Sequence, residues 1–429
     1  MEFILPYQNS RTGLFYERLA KTAFFIYLVF VIFGTSMPFQ EKITDVTDIE
    51  TSNPLKQLLF PLLFIAGLVS LIPCRRQAIG ILKSEKFLAL FFLWALVTVS
   101  WSNFPFISLK RWIQVVGPAI ISLGILMHSD SAEEVKRYFR IILAFYISIS
   151  LVSVFIVPGA VHSDMAAWKG LASHKNTLGQ ISLVAAIFWF DALKTDSWKK
   201  KIVFSALLLM SVVLLIGSHS MTSFLNFAVW LFLMLLFGLD KLFRPLNIGR
   251  FYSFFIFFII IVLVVSTVFF VPNIKALFFD FMGKDATFTG RMELWQAVFD
   301  HAKENIFTGC GFAGFWIVGN RPVMDLFDFF IWLPNEAHQG YLDILNETGL
   351  VGLGLFILLV VFYAVHLPRL KKPHLWKWFV LLVLIINFFE STLFVLNNIT
   401  GVLFTFSYLA LFTEIHKDRS FWRESLCNS

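Results

Sequence analysis

The sequence predicts an all-α polytopic membrane protein of about 12 transmembrane helices, with one large helical outer loop between the ninth and tenth spans. Three observations predict it. Of the 429 residues, 58% are hydrophobic and only 15% are charged, where a soluble domain carries about a quarter charged. The chain holds 53 Phe and 13 Trp, more apolar surface than one water-soluble core could hide. The mean hydropathy of +0.76 is concentrated in continuous apolar runs, not in the alternation of a β-barrel. A soluble enzyme, a disordered scaffold and a secreted disulfide module are excluded.

A helix needs about 20 mostly apolar residues to cross the hydrocarbon layer. Such runs lie at 22–38, 55–73, 87–101, 112–128, 138–157, 177–193, 202–217, 222–239, 251–271, 348–367, 376–394 and 398–415. No short apolar region followed by a small-residue cleavage site opens the chain, so the first run reads as a retained anchor. The domain reading is residues 1–271 for spans one to nine, 272–347 for an extracytoplasmic loop, and 348–429 for the last three spans and a cytoplasmic tail.

Lys and Arg set the orientation, because basic residues beside spans stay in the cytoplasm. With the amino terminus inside, 24 of the 35 basic residues fall on inner segments. Both termini are therefore expected in the cytoplasm. The net charge of +7 is this topological signal, and no nucleic-acid partner is inferred from it. Cys74, Cys310 and Cys427 fall inside, outside and inside, so no disulfide is expected.

The 76 residues from Pro272 to Glu347 far exceed the usual connection length and are rich in Trp and Phe, which predicts a folded loop. Thr289 is a candidate N-cap for a helix with Met292, Trp295, Phe299, Ala302 and Ile306 on one face. Arg291 then falls in its first turn, a place for an anion; pairing with Asp285 or Glu293 is the alternative. Asn335 is a candidate cap for a second short helix ending at Gly349. His338 would lie in its first turn, where the helix dipole disfavours imidazolium and a neutral general base would result. A packed histidine bonded to its own turn is the alternative.

Three other outer segments carry polar groups: Trp101 to Arg111, including Lys110 and Arg111; Gly170 to Gln180, including His174, Lys175 and Asn176; and Asn387 to Asn398, including Glu390. Taken singly, each reads equally as an interface anchor. The big loop itself has ten acids against five bases, so long-range steering of an anion toward it is not expected.

The segments WSNFPFISLKRW (Trp101 to Trp112), HKNTLG (His174 to Gly179), GKDATFTGRMELW (Gly283 to Trp295), TGCGFAGFW (Thr308 to Trp316), AHQGYLDILNETGLVG (Ala337 to Gly352) and NFFES (Asn387 to Ser391) occur in this order. In this the sequence resembles the bacterial O-antigen ligase and exopolysaccharide polymerase superfamily, and within it the exopolysaccharide-production branch. Two departures stand out. Gln339 follows the loop histidine where Asn is usual, and Ser218 to Thr222 occupies a place where relatives often carry a basic residue.

The resemblance implies a metal-independent, inverting glycosyltransferase of the C-type membrane class, without cofactor, in the bacterial inner membrane and with its active site outside. The implied partners are a polyprenyl-diphosphate-linked glycan, an acceptor glycan, the lipid bilayer and polysaccharide export machinery. The implied base is His338, oriented by Glu336 or Asp343. Arg291 and Arg111, then Lys110 and Lys175, are the cations for the leaving diphosphate. His174, Asn176, Gln339 and Glu390 complete the substrate-binding set. No His, Asp or Cys spacing suggests a metal site. The expected function is polymerisation of lipid-linked repeats. A ligase acting on lipid A core or protein is the nearest alternative; an anion transporter and a structural export partner are more distant.

Overall fold

In a computed structural model of the protein, residues 11–34, 54–128, 132–162, 166–195, 197–243, 290–330, 334–369, 375–395 and 398–427 are described. The helices are α1 (Arg11–Phe33), α2 (Pro54–Leu71), α3 (Arg75–Ser84), α4 (Lys86–Thr98), α5 (Pro105–His128), α6 (Ala132–Ile156) and α7 (Lys175–Ala192). They continue with α8 (Trp198–Gly217), α9 (Met221–Phe243), α10 (Arg291–Glu304), α11 (Arg321–Phe329), α12 (Gly340–His366), α13 (Trp376–Ile386) and α14 (Ile399–Cys427). Among the described residues, extended pairing is confined to one bridge between Val161 and Trp168.

The protein is an all-α membrane protein. Five described helices are long and apolar enough to cross a bilayer, or six if α2 and α3, bent by 99°, form one broken span. Two further expected spans, on α1 and α7, carry charged or polar side chains within the helix (Arg11, Glu17, Arg18 and Lys21; Lys175, Asn176, Gln180 and Asp191). The 251–271 run lies outside the described residues. Lys86–Trp101 and Trp376–Ile386 are apolar but shorter. The expected 376–394 span stops at Ile386, because Asn387 turns the chain: its side chain donates to the Val383 carbonyl (2.7 Å) and to Thr392 Oγ1 (2.8 Å), and accepts from the Thr392 and Leu393 amides.

The tiers of the bundle follow from which faces are apolar. Leu58, Leu62, Ile65, Leu68 and Ile72 recur at helical spacing and are exposed, as a lipid-facing stripe should be. The opposite face of α2 packs on α5. There Gly117 leaves the room that Phe64 fills and Gly124 faces Ser70, the small-residue contact favoured between membrane helices. A continuous core then runs through α1, α6, α7, α13 and α14, with Phe139 stacked on Phe188, Phe24 edge-on to Phe139, and Trp376 tilted against Phe406.

The tenth span begins at Gly340, eight residues before its expected start, and contains a break at Gly349 (φ 68°, ψ −172°). The break exchanges partners. In an unbroken helix the Leu350 and Val351 amides would donate to Asn346 and Glu347; instead they donate to the Ile306 and Phe307 carbonyls. The freed Asn346 and Glu347 carbonyls accept from the Cys310 and Gly311 amides. Gly309 (φ 71°) and Gly349 sit where a Cβ would strike the Glu347 and Phe307 backbone. The glycines of two separate motifs thus lock the outer loop onto α12.

Candidate active site

The locked loop brings several polar elements to one end of the bundle. Trp94 Nε1 donates to the Thr348 carbonyl (2.8 Å) and Trp101 Nε1 to Gly309 (3.1 Å). Helix α10 packs against α12, burying Leu294, Val298 and Ala302. The expected face of Met292, Trp295 and Phe299 is therefore rotated: Phe299 is exposed and Ile306 lies beyond the helix. Its N-cap is Gly290 in a left-handed conformation; Thr289, the expected cap, lies outside the described residues. Arg291 is the first helical residue, as its position beside the cap predicts.

Residues 334–339 approach α12 as an irregular turn. Asn335 is exposed and does not cap a helix. The cap is Gln339, whose side-chain oxygen accepts from the Leu342 amide. His338 therefore precedes the helix, and its φ of +51° is uncommon for a non-glycine residue and costs on the order of 1–3 kcal/mol. The surroundings enforce that turn. Ala337 donates its amide to Asp343, and its carbonyl accepts from Trp295 Nε1 (2.8 Å). The Gln339 amide donates to Ser391 Oγ (3.1 Å), and Ser391 donates to Asp343. Trp316 Nε1 completes the Asp343 shell (2.8 Å).

The result is a row of alternating charge. His338 Nδ1 lies 2.8 Å from Glu336 Oε1 and 3.2 Å from Glu390 Oε2. Carboxylates only accept, so Nδ1 carries the hydrogen. Glu390 Oε1 accepts from Arg291 Nη2 (3.4 Å) and from Thr222 Oγ1 (3.1 Å), while Arg291 Nη1 donates to the Phe389 carbonyl (2.6 Å). All four charged side chains are between 12% and 25% exposed, so their interactions are weakly screened.

The charge state of His338 differs from the sequence expectation. Burial by itself would lower its pKa, but the hydrogen bonds and charges of Glu336 and Glu390 outweigh that and push it up to about 9. The expected neutral imidazole at a helix N-terminus is replaced by an imidazolium held between carboxylates at neutral pH. Asp343, expected beside the ring, orients the backbone on either side of it instead. Burial pushes the nearby Cys310 thiol up, reinforced by the Glu347 charge, which keeps it from acting as a nucleophile.

Glu336, His338 and Glu390 also offer three ligand atoms within 4.8 Å of one another. Sequence spacing concealed this group because Glu390 stands 52 residues beyond His338. A bound cation would have to replace the shared Nδ1 proton and would sit beside the Arg291 guanidinium on Glu390. The donor set suits a proton better.

The other expected residues are spread around this row. Arg111 Nη1 donates to the Ala313 and Trp316 carbonyls (2.8 and 3.1 Å), pinning the turn that Glu347 holds through the Ala313 amide (2.9 Å). Lys110 is exposed on α5. His174 caps α7 and its Nδ1 accepts from the Asn176 amide (3.2 Å); Lys175 is the first residue of that helix. Helix α7 packs on α9, which supplies Thr222. Thr222, Ser391, Trp295 and Trp316 belong to the site without having been singled out for it. Trp295, Trp316 and Ser391 lie inside the recognised motifs, and Thr222 lies in the Ser218 to Thr222 segment already noted as a departure, where nothing pointed to a role for its hydroxyl.

The fold and site together define a helical membrane protein with a half-buried row of acid, imidazole and guanidinium at one end of its bundle. Residues 205–357 match the O-antigen ligase family. The chain is also 25% identical over 309 residues to the exopolysaccharide production protein ExoQ of Rhizobium meliloti (strain 1021), covering 69% of this chain and 68% of that protein. The resemblance to the O-antigen ligase and exopolysaccharide-production superfamily is therefore shown twice over, and the type of function it supports is that of a membrane ligase or polymerase. The family match includes Thr222, Arg291, Glu336 and His338 and ends before Glu390.

Proposed function

We propose that the protein is a membrane glycosyltransferase that polymerises polyprenyl-diphosphate-linked oligosaccharide repeats into an exopolysaccharide. The observation that carries this reading is the Glu336–His338–Glu390–Arg291 row. With Nδ1–H held by carboxylates, proton transfer runs through Nε2, the logic of any carboxylate-oriented histidine base. An acceptor hydroxyl oxygen attacks the anomeric carbon, the bond from that carbon to the phosphate oxygen breaks with inversion, and the hydroxyl proton passes to Nε2. Polyprenyl diphosphate leaves with the electron pair. Arg291 supplies the nearest fixed cation for the developing charge, with Lys175, His174 and Asn176 at the start of α7, and Lys110 and Arg111 on α5, as further contacts. Gln339 orients the turn that presents His338. No metal is required for so good a leaving group.

In this reading the site faces the outside of the bacterial inner membrane, both termini are cytoplasmic, and about 12 spans flank a catalytic loop at 272–347. Polysaccharide export machinery is the partner that would receive the product. The reported O-antigen ligase match favours a second reading, transfer of finished glycan to lipid A core, with the same chemistry and another acceptor. Purified protein in nanodiscs with a defined polyprenyl-diphosphate oligosaccharide separates them. A ladder of lengthening products is expected. Single transfer to added lipid A core would mean ligase, and an inert donor in both assays would overturn both readings.

A further inference from the structure

Glu390 sits in a turn, beyond the end of α13, and its two oxygens do different work. Oε1 faces Arg291 and Oε2 faces His338. The last torsion of a glutamate side chain is broad, so two charged neighbours alone leave the plane of the carboxylate room to swing. A third donor removes that freedom. Thr222 Oγ1 reaches Oε1 at 3.1 Å from the first turn of α9, 168 residues away in sequence.

Helix α9 is itself placed accurately at this point. Gly179 on α7 lies so close that a Cβ there would be 2.8 Å from Ser220 Cβ and Ser223 Oγ and 2.9 Å from Ser218 Oγ. Ser220 Oγ donates to Ser223 Oγ (3.0 Å), and the Ser220 amide donates to Ser218 Oγ (3.3 Å). This closes the turn that carries Thr222. Ser220 and Ser223 are buried. A β-branched threonine in a helix has few side-chain rotamers, so its hydroxyl is aimed by the helix.

We propose that Thr222 is a positioning residue: its hydroxyl fixes the orientation of Glu390, and through it the His338 ring, in the glycosyl transfer inferred above, on which this inference rests. Two substitutions separate hydroxyl from shape. Thr222→Val keeps the shape and loses the donor; Thr222→Ser keeps the donor. In the nanodisc assay, Thr222→Val should elongate on the order of ten- to a hundredfold more slowly, as loss of a hydrogen bond to a charged group implies, and Thr222→Ser should recover most of the rate. An active Thr222→Val variant, or a Thr222→Ser variant as slow as Thr222→Val, would overturn the proposal.

A second readout needs no turnover. With 15N-labelled histidine in the intact protein, the His338 ring resonance should move in Thr222→Val and return in Thr222→Ser. A resonance unmoved by Thr222→Val sinks the inference even if the donor assay works. If wild type fails to elongate but the resonance behaves as stated, the positioning stands and the polymerase reading fails.

Discussion

Helix α7 is tied to two charge clusters, one around its own Asp191 and one reached through Gly179, which packs on the α9 turn that carries Thr222, and they are built differently. In the first cluster Asp191 accepts from Lys136 (3.3 Å), Arg140 (3.1 Å) and Lys194 (2.8 Å). Lys136 and Arg140 are one turn apart on α6, and all of these contacts come from regular helix or the residues just after it. One anion is surrounded by cations, an arrangement that holds helices together. In the second cluster the charges alternate, three of the four residues (Glu336, His338 and Glu390) come from irregular turns, and the central group is a histidine in a strained conformation. Strain kept at one residue by so many surrounding hydrogen bonds is what a preorganised reacting group needs. A cluster made for packing has no use for it.

The sharpest way to break this contrast is to remove the centre of each cluster. His338→Ala should lower elongation by a factor of about 10²–10⁴, the usual worth of a general base, and Arg291→Ala should likewise abolish polymer, both leaving the protein folded and inserted. Asp191→Ala should do the reverse. It leaves cations without their anion, so the protein should melt earlier and be recovered in lower yield, while the surviving molecules elongate at close to the normal rate. Thermal melting and per-molecule elongation rates in nanodiscs check both. A His338→Ala variant with normal elongation would remove the catalytic assignment.

Much of this was legible from residue order. Apolar runs located α2, α4, α7, α8 and α9 to within four residues at each end, while α1, α5, α6, α12 and α14 extend six or more residues beyond theirs. The two motifs containing Arg291 and His338 come together at one end of the bundle. What local pattern could not show was where helices stop. The 376–394 run looks like one span, yet the Asn387 side chain captures the backbone groups that would have continued it and releases Glu390 into a turn. The helix read from Asn335 through His338 failed for a related reason: the Asp343 and Ser391 hydrogen bonds hold the Ala337 and Gln339 amides outside any helix. The Asn387 and Asp343 contacts span four to six residues and the Ser391 contact 52, and in each a side chain overrides local helix propensity. Thr222 was beyond reach because its significance lies wholly in a partner 168 residues away.

The His338 environment makes rate and stability respond oppositely to pH. Its pKa is raised above the ordinary 6.5 to about 9 by Glu336 and Glu390, against burial. The groups around it are those two carboxylates, Arg291 behind Glu390, and Asp343 beneath Ala337. A folded-state pKa raised in this way contributes stability that is complete below about 6.5 and is lost as pH rises through about 9. The base needs the neutral ring, so elongation should instead increase over that range. Glu336→Gln removes one carboxylate and should move the rising limb to lower pH. A wild-type rate that is flat from pH 6.5 to 9 would rule out His338 as the base.

The smallest expected effect is none. Glu336, His338 and Glu390 stand close enough to hold a metal ion, and the Asp191 cluster, with three cations on one carboxylate, plainly could not. The comparison therefore turns on whether a proton or a cation joins the groups of the second cluster. Two features favour the proton. Nδ1 is within hydrogen-bonding distance of both carboxylates, and Arg291 already places a positive charge on the Glu390 oxygen that does not face His338. A divalent ion would add charge beside a guanidinium and displace the hydrogen that both acids share. Treatment with a strong chelator, followed by assay in chelator-treated buffer, should leave elongation unchanged, and added Mg²⁺, Mn²⁺ or Zn²⁺ should not raise it. If chelation abolished elongation and one of these ions restored it, the row would be a metal centre, and the second cluster would owe its chemistry to a Lewis acid instead of an imidazole.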